Sequence, residues 1–546
     1  MINKEIAKHL NDIADLYELT EEELNAKKTF AYRKAAETIE KILVDITTLD
    51  YAKLKGIGPS IQNCIKEYAA TKTTQKYQEL IKIVPPPSVM ELTSLSGVTS
   101  SIAKNLYKKY GTKDLSEFGV AIEKGLITSK ELIDAYKVVQ RAKERMLYQD
   151  AVEIAQGVFQ TLSELDCVKK LEYAGSLIRC CPTVHDVNLL CATTDKKLTT
   201  EWFLKWAEKT LEQKDSKITI LVKGLRICLE FCEEKEWGSC SFHLVGSKEY
   251  NAKNKELAKK KGMSLSEHGL ILPGDRSGRD RSAKIISDTQ ENICKELGIP
   301  YLVPELRDLA GVVGLPDKLD LVNEKDIVGD FHVHTSASGG VTSGSVPNYA
   351  REVANKGYKF LAFTDYGKGY PGGKNVVFEK QSEEIELNKK SDTKLLKGIE
   401  LSIGIGGNLY YTPKELEKFD MVIAGIHEGL NEKELIQTGR LVSAIRSGVI
   451  KIIAHPGCEE YGKCEGIKVN WDVVFEECVR NNVALEISGD LKRIGFKPEL
   501  LWQAKQAGVK FALTSGAHSI SSLPNILYAV YRARRGGITK GDLYII

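Results

Sequence analysis

Apolar residues recur at three- and four-residue intervals through most of the first 150 positions, interrupted by short stretches containing Gly or Pro. That period predicts an almost wholly helical region. The opening MINKEIAKHLNDIADLYEL reads as an amphipathic helix with acidic residues, unlike a signal or transit peptide. From about residue 151 to 325 helix mixes with strand, and pieces such as ITILVKGLRICLEF are β-rich. YLVPELRDLAGVVGLPDKLDLVNEKDI (301–327) has the Pro and Gly spacing of a linker. From 328 onward short apolar runs (KFLAFTD, MVIAGIH, IKIIAHP, VALEIS, VKFALTSGAH) alternate with helical segments. The alternation predicts parallel strands with helical crossovers, as in a barrel or a doubly wound sheet.

A chain of 546 residues exceeds one ordinary core, so roughly three to five domains are expected. Its 42% hydrophobic and 28% charged residues suit a soluble protein, and no apolar run reaches the roughly 20 residues of a membrane span. The expected location is intracellular, cytoplasmic or nuclear, with no membrane partner. The twelve cysteines form no C-x-x-C pair, which reads as reduced, small core residues. A net charge of +3 says nothing about nucleic acid, so any DNA contact rests on local patches.

Two such places stand out. LKGIGPSIQNCIKEY (54–68) sets Gly56-Ile57-Gly58 between two helices, and LTSLSGVTSSIAKNLYKKYG (92–111) repeats the form with Gly97-Val98-Thr99. A turn of this kind aims backbone N–H groups outward at a helix N-terminus, where they suit a phosphate. One copy is weak, because glycine also serves tight turns. Two copies about forty residues apart point to helix-hairpin-helix binding of a DNA backbone, independent of sequence.

KKTFAYRKAAETIEKI (27–42) followed by LKGIGPSI resembles the small N-terminal domain of DNA polymerase beta and its bacterial and archaeal relatives, the family X polymerases. The resemblance implies a grip on a 5′ phosphate at a gap through Lys28 and Tyr32, with Gly56, Gly58 and Gly97 at the DNA-binding turns. The lyase lysine of some members falls on Cys64, whose thiol cannot form a Schiff base.

EYAGSLIRCCPTVHDVNLLCAT (172–193) resembles the nucleotidyltransferase signature of that family. Gly175, Ser176 and Arg179 match its nucleotide-holding turn, and Asp186 the first catalytic acid. The second acidic position is Asn188 and the third Cys228. Two hard cations need carboxylates, so Mg2+ at this palm is expected to be weak or absent. FHLVGSKEYNAKNKELAKKKGMSLSEHGL (242–270) matches the segment that supplies Gly246, Ser247 and Asn251 for nucleotide and Lys248 for DNA. Lys253, Lys255, Lys259, Lys260 and Lys261 extend a basic run suited to a nucleic acid backbone.

Five of the nine histidines fall in the last 220 residues at or just beyond predicted strand ends, where parallel sheets carry their sites. DFHVHTSASGG (330–340) puts His332 and His334 on one strand face, so both imidazoles reach one ion. Together with Glu400, His427, His455 and His518 they resemble the metal ligands of a PHP domain. In polymerase-linked members that domain is typically a manganese-dependent 3′–5′ exonuclease. Here the acid after H-x-H falls on Gly339, T-D-H reads Thr364-Asp365-Tyr366, and D-A-H reads Gly516-Ala517-His518. One or two ions, Mn2+ or Zn2+, are therefore expected rather than three. Asp365 and Asp490 stand as substitutes if they point inward.

The expected fold is multidomain: all-α helix-hairpin-helix domains, an α+β nucleotidyltransferase palm with thumb, and a distorted (β/α)7 PHP barrel. The expected boundaries are 1–85 and 86–150 for the two helix-hairpin-helix domains, 151–240 palm, 241–305 thumb, 306–327 linker and 328–546 PHP. The function read from these residues is that of a DNA-binding protein of repair or gap processing whose palm is inactive. Its DNA is gapped or primer-template duplex, and other repair or packaging proteins are candidate partners. Two alternatives stay open: a metal-dependent 3′–5′ exonuclease or phosphoesterase acting through the PHP domain, and an active DNA polymerase with unusual ligands.

Overall fold

A computed structural model describes residues 2–18, 26–40, 42, 44–49, 54, 56–83, 87–95, 97–98, 100–143, 145–272, 285–316, 318–338, 344–370, 378–388 and 393–546. Thr99 and Gly339 lie outside them. The chain divides into two units, residues 1–140 and 141–546.

The first unit is helical, as its period predicts. Its elements are α1 (Ile2–Glu18), α2 (Ala26–Glu40), α3 (Pro59–Thr71), α4 (Gln75–Ile83), α5 (Ser100–Tyr110), α6 (Leu115–Glu123) and α7 (Lys130–Lys143). Ile6, Leu10, Ile13 and Tyr17, spaced by four, three and four, bury one stripe of α1 against Tyr32, Ala35, Ala36 and Ile39 of α2. A second cluster around Leu95, Val98, Phe118 and Val139 holds the later helices.

In the second unit α8 (Tyr148–Ser163) packs on a five-stranded sheet. Its strands are β1 (Val168–Ala174), β2 (Asp186–Thr193), β3 (Lys209–Gln213), β4 (Lys217–Val222) and β5 (Leu225–Phe231), in the order β1-β2-β5-β4-β3. The β2 and β5 pair is parallel and the other pairs are antiparallel. Two helices follow, α9 (Trp237–Val245) and α10 (Lys248–Lys260). The expected linker is not free at its start. Arg307–Val312 forms α11, and Leu306, Leu309 and Ala310 join Phe242 and Tyr250 in one core. Three apolar residues, Leu306, Leu309 and Ala310, are enough to draw that stretch out of solvent.

Seven parallel strands then run in sequence order: β6 (Gly329–Val333), β7 (Phe360–Phe363), β8 (Lys394–Ser402), β9 (Met421–Gly425), β10 (Ile452–Ile453), β11 (Ala484–Ser488) and β12 (Phe511–Thr514). Of the two arrangements left open by the alternating pattern, the structure is the barrel. It closes where β6 meets the end of β12: His334 N–H donates to Ala517 O at 2.8 Å, and the Asp330 carboxylate accepts from the Ser515 N–H at 3.1 Å. Near-continuous burial of all seven strands matches their unbroken apolar runs.

Candidate functional site

Both glycine turns have the same geometry. Gly56 and Gly97 sit at φ 92° and 77°, in the region that glycine enters without strain. Ile57 N–H donates to Leu54 O at 3.2 Å, and Val98 N–H to Leu95 O at 3.1 Å. The apolar residue of each turn is buried. Gly58 caps α3 with no side-chain bond; Pro59 at the first helical position carries no N–H, and the Ile61 N–H already donates to Gly58 O at 3.0 Å. Lys28 is exposed, with Nζ 5.2 Å from the centre of the Tyr17 ring. Tyr32, expected at the DNA, is instead core: its hydroxyl lies 3.2 Å from Ser60 Oγ and 3.7 Å from Cys64 Sγ. Burial pushes the Cys64 thiol up, which makes it a poor nucleophile at neutral pH.

In the palm, parallel pairing of β2 with β5 sets Asn188 beside Cys228 and Asp186 beside Arg226. Asn188 Nδ2 donates to Asp186 Oδ1 at 3.2 Å. Cys228 is buried, accepts from Thr219 Oγ1 at 3.4 Å, and burial raises its pKa. Where two ions need three acids, the sheet thus presents one carboxylate, an amide bonded to it and a protonated thiol. Among the described residues no three ligand atoms gather in the palm. Gly175 sits at φ 69°, where L side chains are strained, and a Cβ there would displace Asn188 Nδ2, 2.7 Å away.

The other expected nucleotide residues are turned to structural tasks. Arg179 donates Nε to Asp308 Oδ1 at 2.9 Å and Nη1 to Val245 O at 2.6 Å. Ser247 Oγ caps α10 at the Tyr250 N–H, and Asn251 Nδ2 bonds His243 O at 2.7 Å. Gly246 lies beside the Arg179 guanidinium, and Ser176 is half-buried in its turn. Of the basic run, Lys253 bonds Ala310 O, Lys261 bonds Leu297 O and Lys260 pairs with Glu256. Lys248, Lys255 and Lys259 are exposed.

The barrel rim is different. His332 lies near the end of β6 and His334 just beyond it, Glu400 lies near the end of β8, and His427 and His455 follow β9 and β10. Glu400 divides its two oxygens. Oε2 is 3.2 Å from both His332 Nε2 and His334 Nε2, while Oε1 is 3.0 Å from His427 Nε2 and 2.9 Å from His455 Nε2. The chain therefore offers two ligand triads with Glu400 in common. Neighbouring ligands on one divalent ion stand about 3.0–3.4 Å apart for bonds of about 2.1 Å, so these separations fit.

Partners behind the ligands fix their rings. His332 Nδ1 is 2.6 Å from Glu486 Oε1, whose carboxylate also accepts from Thr514 Oγ1 and from the His455 N–H. His334 Nδ1 is 3.1 Å from Ser338 Oγ, and His427 Nδ1 is 2.9 Å from Ser402 Oγ. Burial disfavours charge on His332, but Glu486 and Glu400 outweigh it and hold its pKa well above the usual histidine range. Burial also works against the charge of Glu400, which His332 and His427 nevertheless keep well below the carboxylate range. Burial pushes His455 down to about 4, with Arg493 adding to it. Its Nδ1 is buried without a partner. Neutral imidazole is the metal-binding form.

His518 joins neither triad; it stacks on His334 at 4.4 Å and 7°. Tyr366 lies against the same ring at 4.2 Å and stacks on Tyr370 at 3.5 Å. Asp365 does not act as a substitute ligand. It accepts from Thr335 N and Oγ1, Ser338 Oγ and Gln381 Nε2, and so pins the turn after β6. Asp490 belongs to no ligand group among the described residues. Glu486 was missed in the sequence, although a lone acid in the apolar run VALEIS is itself a signal that a cation or donor waits inside.

The family model for the DNA polymerase beta thumb matches residues 240–308, and that for a helix-hairpin-helix domain matches residues 1–74. The chain is 28% identical to the DNA polymerase/3′-5′ exonuclease PolX of Bacillus subtilis over 98% of its own length and 96% of that protein. A probable phosphatase of Proteus mirabilis is 30% identical over 36% of this chain and 80% of its own. One of Thermoanaerobacter is 28% identical over 39% and 88%. With a helix-hairpin-helix match at its start, a polymerase beta thumb match and a seven-stranded parallel barrel at its end, the chain belongs to the PolX type of the family X DNA polymerases, with its C-terminal PHP domain.

Proposed function

We propose that this chain binds DNA through its helix-hairpin-helix turns and hydrolyses phosphoesters at the barrel rim, while its palm does not polymerise. The observation that carries the hydrolytic reading is the division of Glu400 between two histidine pairs. A divalent ion bound there supplies Lewis acidity to a phosphoryl oxygen and lowers the pKa of water. Glu400, His332, His334, His427 and His455 are the residues that would hold it. Glu486 keeps the His332 ring turned inward, and Ser338 and Ser402 do the same for His334 and His427. The non-polymerising reading is supported by Asn188 and Cys228, which leave Asp186 as the one acid among the three positions where the resemblance places the catalytic carboxylates. Mn2+ or Zn2+ suits the rim's imidazole-rich set better than Mg2+ does. The favoured substrate is a 3′ end at a gap or recessed primer, because the Bacillus relative is named a 3′-5′ exonuclease and the DNA-binding turns sit on the same chain.

The test is an end-labelled, 3′-recessed primer at a one-nucleotide gap, incubated with manganese-loaded protein and all four dNTPs. Shortening is expected, lost in His427→Ala and His455→Ala, and reduced about 10- to 100-fold in Glu486→Gln. Extension of the primer overturns the reading of the palm. A primer retarded on a native gel but unaltered leaves a DNA-binding scaffold and removes the hydrolase.

A further inference from the structure

One cation at the barrel rim serves neither the ligand triads nor their supports. Arg493 lies beyond β11 on a loop whose backbone is well tied. Its N–H donates to Asp490 O at 3.2 Å, and its backbone pairs with Glu460. Its half-buried side chain lines a small cavity with His455, Glu486, Phe496 and Arg532. The second guanidinium of that cavity is occupied, since Arg532 donates to Ser488 O and Asp490 O. Arg440, a fully buried arginine of the helix Glu434–Arg446, is occupied as well, by Gly404 O, Glu428 O and Ile403 O. Arg493 differs from both. Among the described residues its guanidinium makes no hydrogen bond to a side chain or carbonyl and no ion pair within 4.0 Å.

A half-buried guanidinium without a partner forgoes solvation and receives no bond in return, an arrangement that persists at sites where a ligand completes it. The surroundings keep it charged. Burial opposes the charge, but Cys458, Asp490, Glu460 and Glu400 together hold its pKa above the usual arginine value. The same charge bears on His455 and on Tyr366 and Tyr370, which places it around the ligand set rather than on the outer surface. The two tyrosines wall that set with carbon: Tyr366 lies against His334, and Tyr370 stands edge-on to His427 at 4.6 Å. A planar five-donor fork beside a pair of ligand triads suits an anion with two equivalent oxygens, and phosphate is that anion.

We propose that Arg493 is the phosphate-binding residue of the rim, donating to the non-bridging oxygens of the phosphoester held at the Glu400 triads. The assignment rests on the hydrolytic reading of that site, but its test does not depend on turnover. Inorganic phosphate is titrated by calorimetry into the manganese-loaded full chain, as wild type, Arg493→Ala and Arg493→Lys, with metal content measured on the same samples. Metal content is expected to stay constant. Phosphate affinity is expected to fall about 10- to 100-fold in the alanine variant and less in the lysine variant, whose single ammonium keeps charge but not the fork. With bis(p-nitrophenyl) phosphate, kcat/KM is expected to fall by a similar factor.

Unchanged phosphate affinity in Arg493→Ala overturns the assignment. So does a wild type that takes up metal but binds no phosphate, and so does metal loss in both variants, which would make Arg493 a structural support. Phosphate binding that depends on Arg493 in a protein that cleaves nothing leaves the assignment standing and removes the hydrolase alone.

Discussion

Glu459 shows how one side chain sets a pH dependence. Burial raises its carboxyl from 4.5 to about 7, against the opposing charge of Lys497 and with help from Glu465. A folded-state pKa above the unfolded one means that the folded protein binds the proton more tightly. Its contribution to stability is therefore lost as pH rises from about 4.5 to about 7 and stays lost above. Glu459→Gln removes this liability. We expect the variant and wild type to melt together near pH 4.5, and the variant to be more stable by on the order of 1–2 kcal/mol at pH 8. Equal melting temperatures at pH 8 would show that water reaches the carboxylate. At this scale the sequence was uneven. His332, His334, Glu400, His427 and His455 are legible because each lies near or just beyond the end of an apolar strand run. Tyr32 was misread, because nothing in KKTFAYRKAAETIEKI tells a buried hydroxyl from a DNA-facing one until α3 brings Ser60 and Cys64 against it.

Strands β2 and β5 carry the next question. Their parallel register puts residues 188 and 228 side by side, so two substitutions can place carboxylates at both positions beside Asp186. Asp at 228 enters a buried position, and two carboxylates beside Asp186 repel one another without a cation. We expect the double variant Asn188→Asp, Cys228→Asp to be destabilised by about 1–3 kcal/mol in EDTA. Millimolar Mg2+ should recover much of that loss, while wild type does not respond. A scanning-fluorimetry series with and without Mg2+ reads both effects, and a wild type stabilised as much as the variant would show that the natural palm already holds the ion. The strands themselves were plain from their apolar runs. The register that sets Asn188 against Cys228 was not, because it depends on how β2 pairs with a strand some forty residues later.

Within residues 141–546 the palm, α11 and the barrel are joined through one acid. Asp308 accepts from Arg179 of the palm at 2.9 Å and from Arg535, in the barrel helix Ile526–Arg535, at 3.0 Å. Cys181 Sγ donates to the same carboxylate at 3.4 Å, and Arg534 pairs with Glu305 one turn away. Asp308→Ala leaves two largely buried arginines without their acid, at a cost of about 3–5 kcal/mol. It should also expose the 313–327 segment to protease before the barrel or palm cores are cut, and mass spectrometry of the first fragments checks that order. Cleavage distributed evenly over the unit would mean that Asp308 supports global stability rather than the junction. This contact explains why the linker reading failed at its beginning: RDLAGV looks like a connector by composition, but its Arg-Asp pair is held from both sides.

Local pattern alone determined the helical first region, the seven apolar strand runs, both glycine turns and most of the histidine set, because each depends on period, chirality or short spacing. Only the tertiary structure decided that Glu400 faces two histidine pairs at once, that Glu486 stands behind His332, and that Asp365 props a turn. It likewise decided that Arg179 is held by Asp308, while the Arg493 guanidinium has no hydrogen bond among the described residues. Those outcomes depend on which residues from distant strands meet at the barrel rim or the palm edge. Closing the barrel brings together positions up to 185 residues apart, a separation over which no spacing in the sequence carries geometry.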